Sequence, residues 1–221
     1  MTLQLALFIL VLSIILMDML VLMLFRADRL DTNSVEDWPM VSVLVPMRNE
    51  AKNVEGLVKS LLKLDYPKEK IEILIGQDRS TDETPNLLRK YVQLDARITV
   101  IDITEDLQNL KAKANVIGQL IPHCIGDYYF ITDADVRVPP GWLKALLYQN
   151  PEKAGVIGGT TVVTVKDFWS GLQQVDWLFA QGMLYVAGKI FQVVAVSGTN
   201  MMITRKCCER FGGYQNIPYS L

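Results

Sequence analysis

Charged residues follow three apolar runs of this 221-residue chain, at points where a simple turn would be enough. The runs and their ends read "VSVLVPMRNE" (41–50), "IEILIGQDRSTDET" (71–84) and "YYFITDADV" (128–136). A D-x-D pattern arises about once by chance in a chain with this many aspartates, so position makes Asp133 and Asp135 informative. Carboxylates at the end of a buried strand suit Mg²⁺ or Mn²⁺, because hard cations prefer oxygen ligands. We therefore expect a metal site at these two aspartates.

Strands that alternate with helices would bring those three ends together. The runs at 41–45 and 71–75 are almost wholly apolar, as in strands that are buried on both faces. The remaining predicted elements are strands at 98–101, 127–132 and 156–165 and helices at 54–62, 84–92, 113–121, 142–148 and 167–185. This order predicts an α/β fold with a mainly parallel, Rossmann-like sheet in three layers. In such sheets ligands bind beyond the carboxyl ends of the strands.

The segment at 167–185 combines an apolar stripe with tryptophans. Its apolar residues fall on one face of the predicted helix, and we expect that face to pack against a core. The alternative is a membrane interface, where Trp169 and Trp177 would lie at the level of the lipid headgroups.

Residues 3–25 are apolar and long enough to span a bilayer about 30 Å thick as a helix. The segment has no basic start and no small-residue cleavage site, so it is more typical of a retained anchor than of a signal peptide. Arg26 and Arg29 follow it, and no Lys or Arg precedes it. The positive-inside rule therefore places the rest of the chain in the cytoplasm.

Composition and missing motifs exclude several classes of function. The net charge is −2, so no broad basic surface favours nucleic acid as a partner. The first apolar run is not followed by the glycine-rich loop of a dehydrogenase or by a P-loop. The cysteines, Cys124, Cys207 and Cys208, fit neither a disulfide framework nor a zinc site, and His123 is the only histidine. We expect reduced thiols and a structural histidine.

Five segments follow one another along the chain: "VSVLVPMRNEAKNVEGLVKSL", "IGQDRSTDET", "LKAKAN", "YYFITDADV" and "VSGTNMMITRKCCERFGGY". Family two glycosyltransferases have similar segments in the same order, and the chain resembles that family over residues 40–217. They look like those of the processive and lipid-linked members that carry a membrane anchor. The resemblance implies a GT-A fold, a nucleotide-sugar donor that is most often a UDP-sugar, and a lipid or polysaccharide acceptor.

The resemblance also implies roles for single residues. Those implied to bind the nucleotide sugar are Pro46, Arg48, Glu50, Asp78, Lys113 and Asp133. Those implied to hold the metal are Asp133 and Asp135, and those near the donor sugar and the acceptor are Gly198, Thr199 and Asn200. The family's lysine near the base and diphosphate can be matched to either lysine of "KAK", so Lys111 is an alternative to Lys113. The family commonly has a second acidic residue before Asp78, where this chain has Gln77.

The general base of the family is implied to lie beyond Leu221, so no catalytic residue is predicted within the chain. The predicted organisation is a transmembrane anchor at 1–25, a linker at 26–39 and a catalytic domain at 40–221 that is incomplete at its C-terminus. The predicted function is that of a metal-dependent, inverting hexosyltransferase, anchored by a single pass in the cell membrane with its catalytic domain on the cytoplasmic side. A non-catalytic nucleotide-sugar binder and a nucleotidyltransferase are the alternatives.

Overall fold

The computed structural model describes residues 3–24, 37–107, 110–149, 151–191 and 196–214. The chain divides into two compact units. The helical unit comprises Met1–Arg29 and Thr160–Ala195, and the sheet unit comprises Leu30–Gly159 and Val196–Leu221.

Among the described residues, a mixed sheet of six strands forms the centre of the sheet unit. The strands are β1 (Val41–Met47), β2 (Ile71–Asp78), β3 (Ile98–Ile103), β4 (Tyr128–Thr132), β5 (Val156–Gly158) and β6 (Asn200–Thr204). They lie in the order β3-β2-β1-β4-β6-β5, and β1 to β4 are parallel. Strand β6 runs antiparallel to β4, and β5 runs antiparallel to β6. The predicted α/β fold with a mainly parallel, Rossmann-like sheet is therefore confirmed.

Helices connect the parallel strands, because a parallel pair needs a crossover connection. The described helices are α1 (Leu3–Leu24), α2 (Ala51–Leu62), α3 (Thr84–Leu94), α4 (Ala112–Leu120), α5 (Trp142–Leu147), α6 (Pro151–Ala154), α7 (Phe168–Phe191) and α8 (Arg205–Arg210). Helices α1 and α7 belong to the helical unit and the others to the sheet unit. Short 3-10 turns at Lys68–Lys70 and Ile121–His123 precede β2 and β4.

Apolar side chains cover both faces of the sheet, so the sheet unit has three layers. In β1, Val43 and Val45 point to one face and belong to a cluster that includes Leu57 of α2. Leu44 points to the other face, where it belongs to a cluster that includes Ile117 of α4. All five side chains are fully buried, and each such burial contributes about 1.5–3 kcal/mol to stability. Because a charge buried between these apolar layers would be unfavourable, the charged side chains lie mainly at the ends of the strands.

Gly76 in β2 allows α4 to approach the sheet closely. A Cβ atom at this position would lie 2.2 Å from Cγ1 of Val116, far inside van der Waals contact. Only glycine leaves room for that valine, as is typical where another element comes close to a strand. As a result the first turn of α4, with Lys113, lies beside Asp78 at the carboxyl end of β2.

Helix α7 presents apolar side chains to solvent. Phe168 is 76% exposed, Trp169 is 74% exposed and Val175 is 66% exposed. The predicted packing of this face against a core is therefore wrong for the N-terminal part of the helix, which the described structure leaves uncovered, whereas Gly182 and Val186 further along are buried. The helix is also longer than predicted, since it continues to Phe191.

Helix α1 coincides with the segment that was predicted to be a membrane anchor. In the described part of the chain, no helix combines the length and the apolarity that crossing a bilayer needs. The predicted transmembrane helix is therefore not supported.

Two strands at one edge of the sheet differ from the prediction. The strand predicted at 156–165 is short, because only Val156–Gly158 pairs, and it pairs with β6. Strand β6 itself was not predicted, although it extends the sheet beside β4. Most of the predicted linker, 26–36, lies outside the described residues.

The cysteines of the chain are free thiols. Burial raises the pKa of the Cys124 thiol to about 12, and it also raises the pKa of Cys208. Both groups therefore stay protonated at neutral pH, which makes them poor nucleophiles and poor metal ligands.

Asp95 and Arg97 form an ion pair in the turn between α3 and β3. Arg97 donates from Nε and Nη2 to the two carboxylate oxygens, over 2.9 and 2.8 Å. These hydrogen bonds lower the pKa of Asp95 to about 2. A carboxyl group with a lowered pKa stabilises the fold above its unfolded pKa of about 3.9, and this effect is lost as the pH falls through the folded value.

We expect Asp95→Asn to lower the free energy of unfolding by about 1–2 kcal/mol at pH 7, measured by urea denaturation. The difference from wild type should shrink between about pH 4 and pH 2, where the wild-type carboxylate takes up its proton. Glu69→Gln, at an exposed glutamate, is the control and should change little at either pH. Equal stability of Asp95→Asn and wild type at pH 7 would contradict this role of the ion pair.

Candidate active site

A cleft of about 340 Å³ lies at the carboxyl end of the parallel strands. It is lined by Pro46, Met47, Arg48, Glu50, Asp78, Ala112, Lys113, Val116, Asp133, Ala134 and Asp135. Strands β1, β2 and β4 supply these residues from their ends, and α4 supplies them from its first turns. The structure thus brings together all the residues that were assigned to the nucleotide sugar and to the metal.

Hydrogen bonds hold the loops after β1 and β2 together. Asn49 has a φ of 54°, in the left-handed region that asparagine tolerates, and its Oδ1 accepts from the N–H of Thr81 over 2.8 Å. Asp82 accepts from the N–H groups of Ala51 and Thr84, over 3.1 and 3.0 Å. Hydrogen bonding to Thr84 lowers the pKa of Asp82. Much of the polar sequence in these loops therefore holds together the two loops that border the cleft.

Glu50 lies at the N-cap of α2 and combines two roles. Its Oε2 accepts from the side chain of Asn53 over 2.6 Å, and its backbone N–H donates to Oγ1 of Thr84 over 2.9 Å. A carboxylate is stabilised at this end of a helix by the unpaired backbone N–H groups. Glu50 therefore lines the cleft and also links the start of α2 to Thr84 at the start of α3.

Asp78 ends β2 and is only 4% exposed. Its Oδ1 accepts from Nε of Arg79 over 2.9 Å, and its Oδ2 lies 3.6 Å from Nη1 of Arg48. A buried carboxylate needs such partners, because leaving it unpaired away from water is unfavourable. The Arg48 side chain is 60% exposed. Of the two guanidinium groups beside Asp78, that of Arg48 therefore remains accessible to a ligand in the cleft.

Arg79 joins the loops after β2 and β3. It has a φ of 48° and donates to both carboxylate oxygens of Asp106, over 2.8 and 3.4 Å. The hydrogen bonds to Asp106, and then those to Asp78, raise the pKa of Arg79. Asn115 of α4 donates to Asp106 as well, over 3.2 Å. The sequence did not predict that Arg79 links Asp78 to Asp106. The available signal was that Arg79 directly follows Asp78, a candidate site residue.

Lys113 connects three parts of the sheet unit. Its Nζ donates to Oδ1 of Asp133 and, over 2.6 Å, to the backbone carbonyl of Gly198. Lys111 is exposed and lines an adjoining cleft of about 400 Å³ instead. Of the two lysines that the sequence left open, Lys113 is therefore the one that contacts a predicted metal ligand.

The aspartates after β4 differ in exposure, since Asp133 is half-buried and Asp135 is exposed. Within the described ranges, no three His, Cys, Asp or Glu side chains come together as a metal site. Two carboxylates still fit Mg²⁺ or Mn²⁺, because these ions often keep one or two protein carboxylates and complete their shell with phosphate and water. The ammonium of Lys113 on Asp133 also shows that this position accommodates a cation. The residues therefore fit a divalent ion.

The residues assigned to the donor sugar and the acceptor lie at the start of β6. The carbonyl of Gly198 meets Lys113, and the hydroxyl of Thr199 lies 2.8 Å from that of Ser197. Oδ1 of Asn200 accepts from the indole Nε1 of Trp142 over 2.8 Å. The N–H of a buried indole requires such a partner. Trp142, which the sequence did not single out, thus holds Asn200 in place.

Residues 42–212 match the family described as Glycosyl transferase family 2. The match covers most of the chain, and the chain therefore belongs to family 2 of the glycosyltransferases. The sheet unit accordingly has the GT-A type of fold that the resemblance implied.

Curated relatives are longer than this chain. The "Probable glycosyltransferase YdaM" of Bacillus subtilis is 26% identical over 189 residues, which cover 83% of this chain and 44% of the relative. The "Beta-monoglucosyldiacylglycerol synthase" of Nostoc sp. is 26% identical over 183 residues, which cover 80% of this chain and 38% of the relative. The chain thus spans less than half the length of these relatives.

Solved structures with the same fold contain nucleotides. A mannosyltransferase from Pyrobaculum calidifontis, in complex with GDP-Man and Mn²⁺, matches with a TM-score of 0.61 and 25% identity, over 80% of this chain and 48% of that one. Glucosyl-3-phosphoglycerate synthase from Mycobacterium tuberculosis, in complex with UDP, matches with a TM-score of 0.53 and 16% identity, over 82% and 63%. At 16% identity the likeness concerns the fold alone.

Trp142→Phe removes the indole N–H that holds Asn200 but keeps an aromatic ring beside Phe130, whose centroid lies 5.4 Å from that of Trp142. We expect the free energy of unfolding in urea to fall by about 1–2 kcal/mol, because one buried hydrogen bond and part of a ring are lost. Trp169→Phe, at an indole that is 74% exposed, is the control and should change it by less than about 0.5 kcal/mol. Equal losses in the two variants would show that the hydrogen bond contributes nothing.

Proposed function

We propose that the protein is a metal-dependent, inverting glycosyltransferase that transfers a hexose from a nucleotide-diphospho-sugar, in the first place a UDP-sugar, to a lipid or polysaccharide acceptor. One observation carries the proposal: Asp133 and Asp135 share a single cleft with the cations of Arg48 and Lys113. Membership of glycosyl transferase family 2 supports the class of reaction.

The charges of the cleft suit a nucleoside diphosphate. The ammonium of Lys113 and the guanidinium of Arg48 are donors that bind phosphate oxygens strongly. The oxygens of Asp78 accept hydrogen bonds, which suits the N–H groups of a nucleobase. A ligand with a base at one end and a diphosphate beside Lys113 would therefore meet complementary groups along its length.

In the proposed reaction an acceptor hydroxyl attacks the anomeric carbon from the face opposite the leaving group. The bond from that carbon to the diphosphate oxygen breaks, a bond to the acceptor oxygen forms, and the hydroxyl proton passes to a carboxylate base. Lys113 and Arg48 would stabilise the negative charge that builds on the diphosphate. A divalent ion held by Asp133 and Asp135 would supply further positive charge there.

Binding and transfer are separate questions for this chain. The residues that we assign to the donor lie within the described sheet unit. None of the described residues is assigned here as the general base, so a nucleotide-sugar binder without transfer activity is the second candidate. A nucleotidyltransferase is disfavoured, because residues 42–212 match a glycosyltransferase family.

The affinity for UDP, measured by calorimetry, should rise about tenfold or more when Mn²⁺ is added, because the ion neutralises the diphosphate beside Asp133 and Asp135. Asp135→Ala should abolish that gain and keep the fold, since Asp135 is exposed. GDP is the second ligand to titrate, because the mannosyltransferase structure contains GDP-Man. Tighter binding of GDP than of UDP would contradict the assignment of a uridine donor.

Glu69→Ala is the matched control for this experiment. It removes an exposed carboxylate just before β2, at the opposite end of that strand from Asp78, and should keep the gain from Mn²⁺. Equal UDP affinity in wild type and Asp135→Ala, with and without Mn²⁺, would contradict the metal assignment. An assay of sugar transfer and of donor hydrolysis on the same sample separates an enzyme from a binder.

We further propose that the protein works at the cytoplasmic face of the cell membrane, with the helical unit in contact with lipid. The exposed aromatic residues Phe168 and Trp169 of α7 support this, because such side chains favour the interface between headgroups and acyl chains. A relative whose name denotes a glucosyldiacylglycerol synthase is consistent with a lipid acceptor.

Flotation with anionic phospholipid vesicles tests this location. We expect the protein to float with the vesicles, and the double variant Phe168→Ser/Trp169→Ser to lose about tenfold in partitioning, since two apolar side chains no longer enter the interface. Leu94→Ser, at a leucine of α3 that is 75% exposed, is the control and should partition as the wild type does. Equal partitioning of all three proteins would exclude α7 as the contact surface.

A further inference from the structure

Lys113 has two oxygen partners at the place where a metal and a diphosphate are proposed to bind. Its Nζ donates to Oδ1 of Asp133 and to the carbonyl of Gly198, and the second bond is 2.6 Å long. A Cβ atom on Gly198 would lie 3.4 Å from the same Nζ, so this backbone passes directly beside the ammonium. The ammonium therefore links the end of β4 to the segment before β6.

An ammonium on Asp133 competes with a divalent cation for the same carboxylate. Two positive charges a few ångströms apart repel each other strongly at the effective dielectric of a protein surface. A diphosphate beside Lys113 would offer the ammonium strong charge-assisted hydrogen bonds in exchange for those to Asp133. Metal and nucleotide therefore both favour a position of Lys113 away from Asp133.

We propose that Lys113 acts as a displaceable internal cation. It pairs with Asp133 and Gly198 until a nucleotide draws it to the diphosphate, which leaves Asp133 to the metal. This inference rests on the proposed function, because it needs a nucleoside diphosphate and a divalent ion in the cleft. Its consequence is positive cooperativity: each ligand removes Lys113 from the position that opposes the other.

The same movement connects the donor side of the cleft with the acceptor side. When Lys113 leaves, the carbonyl of Gly198 loses the bond that ties residues 196–199 to α4. The hydroxyl pair of Ser197 and Thr199 stands on this segment, and Asn200 begins β6 directly after it. The segment that was assigned to the acceptor is thus held by Lys113 as long as no donor is bound.

Calorimetry on wild type and Lys113→Met tests the competition, with Mn²⁺ and UDP titrated alone and in the presence of each other. Methionine keeps most of the apolar stem and removes the charge. We expect the variant to bind Mn²⁺ without nucleotide about tenfold or more tightly than wild type, because Asp133 has lost its competitor. It should bind UDP more weakly, and the factor by which Mn²⁺ improves UDP binding should fall.

Two control variants separate this mechanism from a general effect of charge. Lys111→Met removes the same charge two residues away, at a lysine that does not contact Asp133, and should change the nucleotide-free Mn²⁺ affinity much less. Lys113→Arg keeps a cation that can pair with Asp133 and should retain weak nucleotide-free Mn²⁺ binding. Circular dichroism of each variant checks that the fold is kept.

Hydrogen exchange measured by mass spectrometry tests the link to Gly198. In the absence of ligands, residues 196–200 should exchange faster in Lys113→Met than in wild type, because the tether to α4 is gone. Exchange that is the same in both proteins would show that Lys113 does not hold this segment.

A different pattern of affinities would overturn the inference. If Lys113→Met leaves nucleotide-free Mn²⁺ binding unchanged and weakens UDP equally with and without Mn²⁺, Lys113 is only a diphosphate ligand. The proposed function survives that result, since wild type still binds UDP with Mn²⁺. If wild type binds no UDP under any condition, the proposed function fails, and this inference fails with it.

Discussion

Burial of both faces of the sheet is the constraint on which the candidate site depends. Strands β1 and β4 contain no charged residue, because a charge between two apolar layers would be strongly unfavourable. The charges that follow these strands are therefore confined to their ends. Since β1, β2 and β4 run in the same direction, those ends meet at one edge of the sheet. The residues that form the core thus also determine where the charged cleft lies.

Local sequence patterns were sufficient for the parallel part of the fold and insufficient for its edge. Burial of β1, β2 and α2 can be inferred from short stretches of sequence. The two strands are apolar runs, and the apolar residues of α2 have helical spacing. Strand β6 is short, and its pairing of Asn200 with Thr132 depends on a chain segment far away in sequence. In α7 the periodicity showed that one face is apolar, but periodicity carries no information about what covers such a face.

The candidate site was predictable where a residue directly follows a strand and was not predictable where two distant segments meet. Asp78 and Asp133 belong to the first kind. The pair of Arg79 with Asp106 belongs to the second, since it is set by the packing of neighbouring loops. Helix α4 begins at Ala112, and this start determines that Lys113 and not Lys111 faces Asp133. A helix that began one residue earlier or later would turn a different side chain towards the cleft.

The antiparallel pairing of β5 and β6 affects how the long chain segment between them can vary. The chain leaves the sheet at Gly159 and returns just before Asn200, and the N–H of the first donates to the carbonyl of the second over 2.9 Å. The residues between Gly159 and Asn200 therefore connect two points of the sheet that already lie together. Between two such fixed points, each doubling in the length of a flexible connection costs only about 0.6 kcal/mol in chain entropy. The connection between these two strands can therefore vary without rebuilding the strands that carry the candidate site.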